Sequence, residues 1–421
     1  MNIKIILFTL IVLIAGKLIS QESFIEVSDT SENKNGYQMK GNSSEIEANF
    51  MSSYYNQDGN NSAVTGGVGT EKLTDYSNVF IVNIPLDKKN SIGIFTGLDN
   101  YTSASSDNID SNISSASKTD KRVYSTLSFN RKNLKKTSSY GLKSGFSKEF
   151  DYKSFSGAIS FSKEWNEGNT EINLNGQAFL DKWLGKHNDL IYPELWLGDV
   201  FGYEKIANPK RNSFNAQFNF SQIVNPRIIF GITAEVTYMT GLLSTPFHAV
   251  YFDTLLVEPY KFDIERLPSS RLKFPIGFRL NYFPFDFMVI RSYYRYYTDD
   301  FGIKANTFEI ETPFKLTDFL TLSPFYRFYV QSASKYFGEK YTHNPDSQYY
   351  TSDFDLSGFN SNKLGLGLKF YPLYGILRSK PISHKNSILM LKYFELRGAY
   401  YKRSTDFSAM NFSINLAFSY K

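Results

Sequence analysis

Residues 410–420 read Met-Asn-Phe-Ser-Ile-Asn-Leu-Ala-Phe-Ser-Tyr, with apolar or aromatic side chains alternating with small or polar ones. Because successive side chains of a β-strand point to opposite faces, this pattern predicts a strand with one apolar and one polar face. Such a strand, about ten residues long, is typical of a transmembrane β-barrel, whose wall separates lipid from a polar lumen.

The same two-residue period recurs along nearly the whole chain. The candidate strands are residues 45–55, 76–84, 90–98, 122–131, 140–150, 153–165, 170–180, 211–224, 227–239, 270–282, 287–297, 303–312, 320–331, 362–371, 387–401 and 410–420. We therefore predict an all-β protein, a transmembrane antiparallel up-and-down β-barrel of about sixteen strands, with fourteen as the alternative count.

The connections between these segments alternate in length. Long polar stretches fall at residues 56–75, 101–121, 181–210, 240–269 and 332–361, and short turns fall at 87–89, 133–137, 166–169, 225–226 and 284–286. This alternation predicts long outer loops at one end of the barrel and short periplasmic turns at the other. Residues 372–386 are too long for an ordinary turn, and we expect them to lie under the barrel or to contact a partner.

The amino-terminal region has the features of an export signal. Lys4 precedes an apolar run over residues 5–15, which suits a signal peptide and falls short of the roughly eighteen residues of a membrane helix. We predict a signal peptide at residues 1–20, a flexible periplasmic tail at 21–44 and the barrel at 45–421. The alternatives are a retained anchor helix for the first segment, and a docking peptide or lumen-entering segment for the second.

The composition supports this class of protein and excludes others. Aromatic residues make up 17% of the chain, yet the mean hydropathy is −0.33, a combination that suits a barrel with lipid-facing rings and a polar interior. The absence of cysteine excludes disulfides, thiolate metal sites and a lipid-anchored cysteine. The net charge of +5 is mild for this length and does not favour nucleic-acid binding.

Charged residues fall on the polar face of the later strands, where lumen water tolerates them and hydrocarbon would not. They form either an ion-pair network that stiffens and partly fills the barrel, or a basic stripe that attracts anions. If the hairpin after Tyr297 folds about Asp299 and Asp300, Arg291 lies opposite Glu309. The predicted lumen-facing charges are Lys273, Arg279, Arg291, Arg295, Arg327, Lys363, Lys369, Arg397, Glu235, Glu309, Glu311 and Glu395.

A Ser-rich outer loop carries a candidate calcium site. Asp99, Asp107, Asn108 and Asp110 supply the oxygen ligands that calcium prefers. Their spacing lacks the regular calcium-loop order, so ordinary loop residues are the alternative interpretation. Asp353 and Asp355 carry a weaker suggestion of the same kind, and no other cofactor is predicted.

Catalysis has little support in the sequence. The four histidines, His187, His248, His343 and His384, fall in different connections, and we interpret them as solvated loop residues. A serine hydrolase would need a histidine beside a nucleophile. We therefore predict that the protein is not an enzyme.

Several unusual phrases lie in the loops and strand ends. These are residues 61–77 (NSAVTGGVGTEKLTDYS), 99–110 (DNYTSASSDNID), 241–252 (GLLSTPFHAVYF), 264–277 (IERLPSSRLKFPIG), 291–303 (RSYYRYYTDDFGI) and 349–359 (YYTSDFDLSGF). Together they resemble domain-of-unknown-function family 3570, a family of uncharacterised bacterial outer-membrane barrels. The resemblance implies a barrel often encoded beside a small lipoprotein, a thioredoxin-like protein and a flavin transferase, which hints at extracytoplasmic redox or metal-linked physiology.

Two functions from different classes remain open, both for a barrel embedded in the lipid of the bacterial outer membrane. The first is a channel for small solutes whose lumen charges set the preference. The second is a filled barrel that acts as a scaffold or receptor for a periplasmic partner or a small lipoprotein. A membrane enzyme ranks below both.

Overall fold

A computed structural model describes residues 45–102, 119–135, 137–150, 152–184, 209–245, 248–253, 262–379 and 388–421. Nearly all of these residues belong to strands or their connections. The strands are β1 (Ile46–Asp58), β2 (Leu73–Pro85), β3 (Asn90–Thr102), β4 (Thr119–Asn133), β5 (Ser138–Lys148), β6 (Tyr152–Trp165), β7 (Thr170–Trp183), β8 (Lys210–Asn225), β9 (Ile228–Gly241), β10 (Ala249–Tyr251), β11 (Phe262–Ile264), β12 (Ser270–Phe285), β13 (Met288–Asp299), β14 (Lys304–Glu311), β15 (Phe314–Thr317), β16 (Leu320–Gln331), β17 (Phe359–Phe370), β18 (Leu377–Ser379), β19 (Leu389–Arg403) and β20 (Ser408–Tyr420).

One sheet closes on itself. Each wall strand pairs antiparallel with its neighbours, and β1 pairs with β20 from Ile46↔Tyr420 to Asp58↔Ser408. β14 and β15 are two parts of one wall strand, interrupted at Thr312 and Pro313, where proline has no N–H to donate. β18 is a short segment beside β19. The wall is therefore a closed barrel of sixteen strands, and the predicted fold class and strand count are confirmed.

The apolar face of each strand points away from the lumen. Leu127, Ile159 and Leu364 expose 57%, 65% and 64% of their surface, although side chains of this kind are usually covered in a water-soluble domain. No described element lies over this face. The strands thus present a continuous outer belt of apolar and aromatic residues, as the two-residue period predicts.

The two ends of the barrel differ. The turn end carries the short connections, such as residues 86–89, 166–169 and 286–287, together with residues 45 and 421. The loop end carries the long connections 59–72, 242–269 and 332–358. This sorting of long and short connections agrees with the prediction. The predicted signal peptide and tail, residues 1–44, lie outside the described residues.

Two clusters of buried apolar residues lie at the loop end. β10 and β11 form a small hairpin, and Val250, Phe252 and Tyr350 form a buried cluster that joins this hairpin to the connection 332–358. Bridges pair Phe252 with His343 and Arg266 with Tyr350. We refer to the described residues of 59–72, 242–269, 300–303 and 332–358 as the loop layer.

The connection between β17 and β19 is the longest at the turn end. Part of it, β18, pairs with β19 through Leu377↔Leu391, and residues 380–387 lie outside the described part of the chain. Leu373 and Leu377 are exposed. Whether this segment contacts a partner stays a prediction. Within the described residues, no helix has the length and apolar character needed to cross a membrane.

Candidate functional site

A cavity of about 1050 Å³ lies inside the barrel against the wall formed by β13, β14, β16, β17, β19, β20 and β1. The alternation of side chains brings polar residues from each of these strands to its surface. Five of the predicted lumen charges line it: Arg295, Glu309, Arg327, Lys363 and Arg397. The loop layer contributes Asp355 to the same cavity.

Three glutamates hold part of the basic stripe in ion pairs. Glu311 accepts hydrogen bonds from Arg291 at 3.0 Å and from Arg397 at 2.7 Å. Arg327 donates to Glu309 at 2.6 Å, and Arg397 also donates to Glu395 at 3.1 Å. These contacts correspond to the ion-pair network that was one of the two interpretations of the lumen charges.

The predicted pairing of Arg291 with Glu309 is wrong. Arg291 lies opposite Glu311, and Glu309 lies opposite Tyr293. The reason is the turn between β13 and β14, which contains residues 300–303 and is centred further along the chain than Asp299 and Asp300. It is stabilised by the Ile303 N–H, which donates to the Asp299 carboxylate at 3.0 Å, and by Gly302, whose φ of +90° suits glycine.

Two further cations of the stripe lie over aromatic rings. The Arg279 guanidinium lies over the Tyr293 ring at 5.7 Å, and the Lys369 ammonium lies over the Tyr393 ring at 4.0 Å. Among the described residues, Arg295 has no hydrogen bond or ion pair within 4.0 Å. Lys273 lies nearer the loop end, in the field of Arg271, Asp299 and Glu235. On the wall from β12 to β19, the lumen therefore carries more positive than negative charge.

Gly365 makes room for the ion pair between Arg397 and Glu311, whose strands are not neighbours in the wall. The Phe325 side chain lies across the strand from Gly365, and a Cβ atom at Gly365 would come within 2.2 Å of the Phe325 ring. Arg397 lies over the same ring at 5.0 Å and extends from β19 to Glu311 on β14. The curvature of the wall lets these residues meet although two strands separate them.

Replacing Gly365 by alanine should displace the Phe325 ring and lower the free energy of unfolding by about 1–3 kcal/mol, as overpacking of a tight site does. Equilibrium unfolding in urea, followed by tryptophan fluorescence, measures the change. Gly157→Ala is the matched control, because a Cβ atom at Gly157 meets nothing within 4 Å. Equal tolerance of the two substitutions would contradict this account of the ring.

Sequence reasoning missed a second set of lumen charges near the loop end. Arg271 pairs with Asp299, whose side chain is completely buried, and Arg403 pairs with Asp355. Arg122 lies 3.4 Å from Glu149. The signal was present for Arg271 and Arg403, which share the odd-numbered face of their strands with Lys273 and Arg397. The predicted strands were cut short before Asp299 and Arg403.

One of the candidate calcium residues lies in a strand. Asp99 belongs to β3, which continues to Thr102 and so extends four residues beyond its predicted end. Its buried carboxylate accepts a hydrogen bond from Ser77 at 2.8 Å and another from Tyr124 at 3.3 Å. The placement of Asp99 in the outer loop is therefore wrong. Asp107, Asn108 and Asp110 lie outside the described residues.

Two histidines are not solvated, which corrects the prediction made from the sequence. His343 is buried in the loop layer, with its Nε2 atom 3.0 Å from the Gly338 carbonyl and 2.9 Å from the Ser352 hydroxyl. Burial lowers the pKa of His343. His248 is also largely enclosed. The loops bury these rings because they carry enough apolar residues to form a core. His187 and His384 lie outside the described residues.

His248 lies between two carboxylates from different parts of the loop layer. Its Nδ1 atom is 3.6 Å from Glu265 and 3.8 Å from Asp353. Burial disfavours the charged imidazole, but the neighbouring carboxylates outweigh it and raise the pKa of His248. Burial, together with the nearby Asp355 charge, raises the pKa of Asp353 to about 6. The three side chains offer one nitrogen and two oxygen ligands within 4.8 Å of one another.

Comparison with known proteins identifies a family. The sequence model of a family described as "Protein of unknown function (DUF3570)" matches residues 96–371, and no curated protein matches the chain.

Solved structures resemble it at low sequence identity. The siderophore receptor PirA from Pseudomonas aeruginosa has a TM-score of 0.40 and 10% identity, covering 88% of this chain and 80% of that one. A bacterial polysaccharide outer membrane secretin has a TM-score of 0.44 and 9% identity over 88% and 97% of the two chains. OccK1 (OpdK) from Pseudomonas aeruginosa has a TM-score of 0.38 and 7% identity over 89% and 98%. Each similarity concerns the barrel fold alone.

Proposed function

The chain belongs to the DUF3570 family of proteins of unknown function, and for this member we propose an outer-membrane channel for small anionic solutes. The outer apolar belt supports its placement in lipid, because only a closed barrel can satisfy every backbone hydrogen bond of a sheet there. The long loops then face the cell exterior, and the turn end faces the periplasm.

The width of the barrel supports passage of solute. Barrels of about sixteen strands leave an aqueous lumen, whereas those of about eight are filled by their own side chains. In agreement with this, the cavity of about 1050 Å³ lies within the wall, lined by charged and hydroxyl groups such as Arg295, Arg327 and Tyr329. A small hydrated anion fits a passage of this chemistry.

The observation that carries the proposal is the excess of positive charge on one lumen wall. Seven cations, Arg279, Arg291, Arg295, Arg327, Lys363, Lys369 and Arg397, share the wall with three carboxylates, Glu309, Glu311 and Glu395. A low-dielectric wall lined mainly by one sign of charge concentrates ions of the opposite sign. Arg295 and Arg279, which have no carboxylate partner, are the residues most able to interact with a passing anion.

We favour transport over catalysis for a geometric reason. The described residues bring a serine hydroxyl near a histidine at Ser352 and His343. Ser352 is 1% exposed, so a substrate cannot reach it. The same His343 nitrogen also faces the Gly338 carbonyl, which occupies it as a donor.

Single-channel recording in planar bilayers tests the proposal. In a potassium chloride gradient, we expect a steady current whose reversal potential indicates a preference for chloride. Reversing two partnerless charges, in Arg279→Glu/Arg295→Glu, should shift the reversal potential toward cation preference without loss of the folded barrel. The matched control, Arg227→Glu/Lys88→Glu, makes the same change of net charge at exposed turn residues outside the strands and should leave selectivity nearly unchanged.

A folded barrel that passes no steady current would contradict the channel and favour the scaffold or receptor. One observation supports that alternative: the loop layer has a core of its own, with Val250 and Thr351 completely buried, and can present a rigid surface to a partner. A current with cation preference in the wild-type protein would contradict the assignment of anions.

A further inference from the structure

The cluster of His248, Glu265 and Asp353 is formed by two segments of the loop layer. His248 and Glu265 lie side by side at the end of the β10–β11 hairpin, where the Glu265 N–H donates to the His248 carbonyl at 2.8 Å. Asp353 comes from the connection 332–358, and its carboxylate accepts the Asp355 N–H at 2.9 Å. The bridge between Arg266 and Tyr350 joins these two segments, and the three side chains lie close to one another.

No lysine or arginine compensates the carboxylates of this cluster in the described part of the chain. The Glu265 side chain is 2% exposed and accepts hydrogen bonds from two neutral donors, the Thr351 hydroxyl and the Thr245 N–H, each at 2.6 Å. Among the described residues, no lysine or arginine lies within 4.0 Å of Glu265 or Asp353. Burying a carboxylate without a partner charge is costly, so the site favours a cation between the two.

Nearby arginines are engaged elsewhere. Arg266 pairs with Asp263 at 3.3 Å and lies over the Tyr350 ring, and Arg403 pairs with Asp355. His248 is therefore the only basic side chain at the cluster in the described part of the chain.

The two separations from His248 fit a metal shell better than direct hydrogen bonds, and all three ligand atoms lie within 4.8 Å of one another. The separations of 3.6 and 3.8 Å between His248 Nδ1 and the two carboxylates exceed the roughly 2.7–3.2 Å of a hydrogen bond. Ligands placed about 2.1 Å from a tetrahedral ion are separated by about 3.4 Å. The His248 Nδ1 atom is also inaccessible to solvent and has no hydrogen-bond partner. Its lone pair is therefore available to bind a metal ion.

We propose that His248, Glu265 and Asp353 form a binding site for a divalent first-row metal ion, and that zinc is the ion that fits the site best. One imidazole and two carboxylates suit zinc, manganese or ferrous iron, and the lack of thiolates disfavours ions that require soft ligands. Three protein ligands leave a fourth position for water. A bound ion cross-links the β10–β11 hairpin to the connection 332–358 and rigidifies the loop layer.

The test uses the full barrel without a polyhistidine tag, folded in detergent, stripped with a chelator and titrated with zinc chloride by calorimetry. We expect one zinc ion to bind per chain. His248→Ala and the near-isosteric Asp353→Asn should each weaken binding by about 100-fold or more, because each removes a ligand, and loss of even an outer-shell partner costs about 10–100-fold. The matched control is Asp346→Asn, which changes an exposed aspartate of the same connection and should bind zinc like the wild type.

A second readout does not depend on affinity. Zinc should slow proteolysis of the wild-type loop layer and of the Asp346→Asn variant, and should have no effect on Asp353→Asn. Zinc binding that is equal in the wild type and in Asp353→Asn would overturn the proposal, since the metal would then lie elsewhere. Absence of zinc binding to the wild type would also overturn it and would leave a protonated His248 as the counter-charge.

Discussion

Replacing Asp299 by alanine should lower the free energy of unfolding by about 3–5 kcal/mol, because it leaves a buried arginine without its counter-charge. The Asp299 side chain is fully buried. It accepts hydrogen bonds from Arg271 at 2.9 Å, from the Tyr297 hydroxyl at 2.7 Å and from the Ile303 N–H at 3.0 Å. Equilibrium urea unfolding of the detergent-folded barrel measures the loss.

The neighbouring Asp300 provides the matched control. It is exposed and accepts a single hydrogen bond, from the Leu272 N–H at 3.0 Å, so Asp300→Ala should cost about 0.5–1.5 kcal/mol. Combining Asp299→Ala with Arg271→Met removes the unpaired charge, and the double variant should be more stable than Asp299→Ala alone. If the second substitution instead adds its full cost, the ion pair is not the cause of the loss.

The outer belt gives the second large effect. Phe308 lies on the outward face of β14 and is 45% exposed. Phe308→Arg should destabilise the lipid-embedded barrel by about 2–4 kcal/mol, the cost of an arginine near the bilayer midplane. Unfolding of the variant from phospholipid vesicles, compared with the wild type, measures this cost.

Thr307 precedes Phe308 and points to the opposite face, where it lines the lumen cavity. Thr307→Arg therefore adds the same charge to the same strand in contact with water, and we expect it to cost less than about 1 kcal/mol. Two neighbouring substitutions with such different costs distinguish a membrane wall from a soluble sheet. Equal costs would mean that no lipid covers the belt.

The lumen and the loop layer use charge in different ways. In the lumen, Glu309, Glu311 and Glu395 neutralise only part of the basic wall, and solvent in the cavity tolerates the remainder. In the loop layer, Glu265 is almost completely buried, so an unmatched charge there is far more costly. This difference is why we assign ion attraction to the first and tight metal binding to the second.

The strands, their faces and the two classes of connection could all be predicted from the sequence. The reason is that side-chain alternation is a local property of each segment. The ends of every predicted strand accordingly lie within four residues of the ends of an observed strand. The same alternation predicts which residues face the lumen, such as Arg295 and Lys363.

Partners could not be predicted in this way, because they depend on turns, curvature and contacts between distant parts of the chain. Because the turn lies at residues 300–303, the cross-strand partner of Arg291 is Glu311 and not the predicted Glu309. The register of a hairpin depends on where the chain turns. Curvature of the closed wall brings Arg397 to Glu311 across two intervening strands.

The sequence by itself determined a wall of strands with an apolar outer face and a polar inner face, because a two-residue period places the two classes of side chain on opposite faces of each strand. The tertiary structure alone decided that the long loops fold together and that His248, Glu265 and Asp353 meet. Those residues are as many as 105 positions apart in the chain, and only burial of the loop core, with Val250, Phe252 and Tyr350 packed together, draws them into contact.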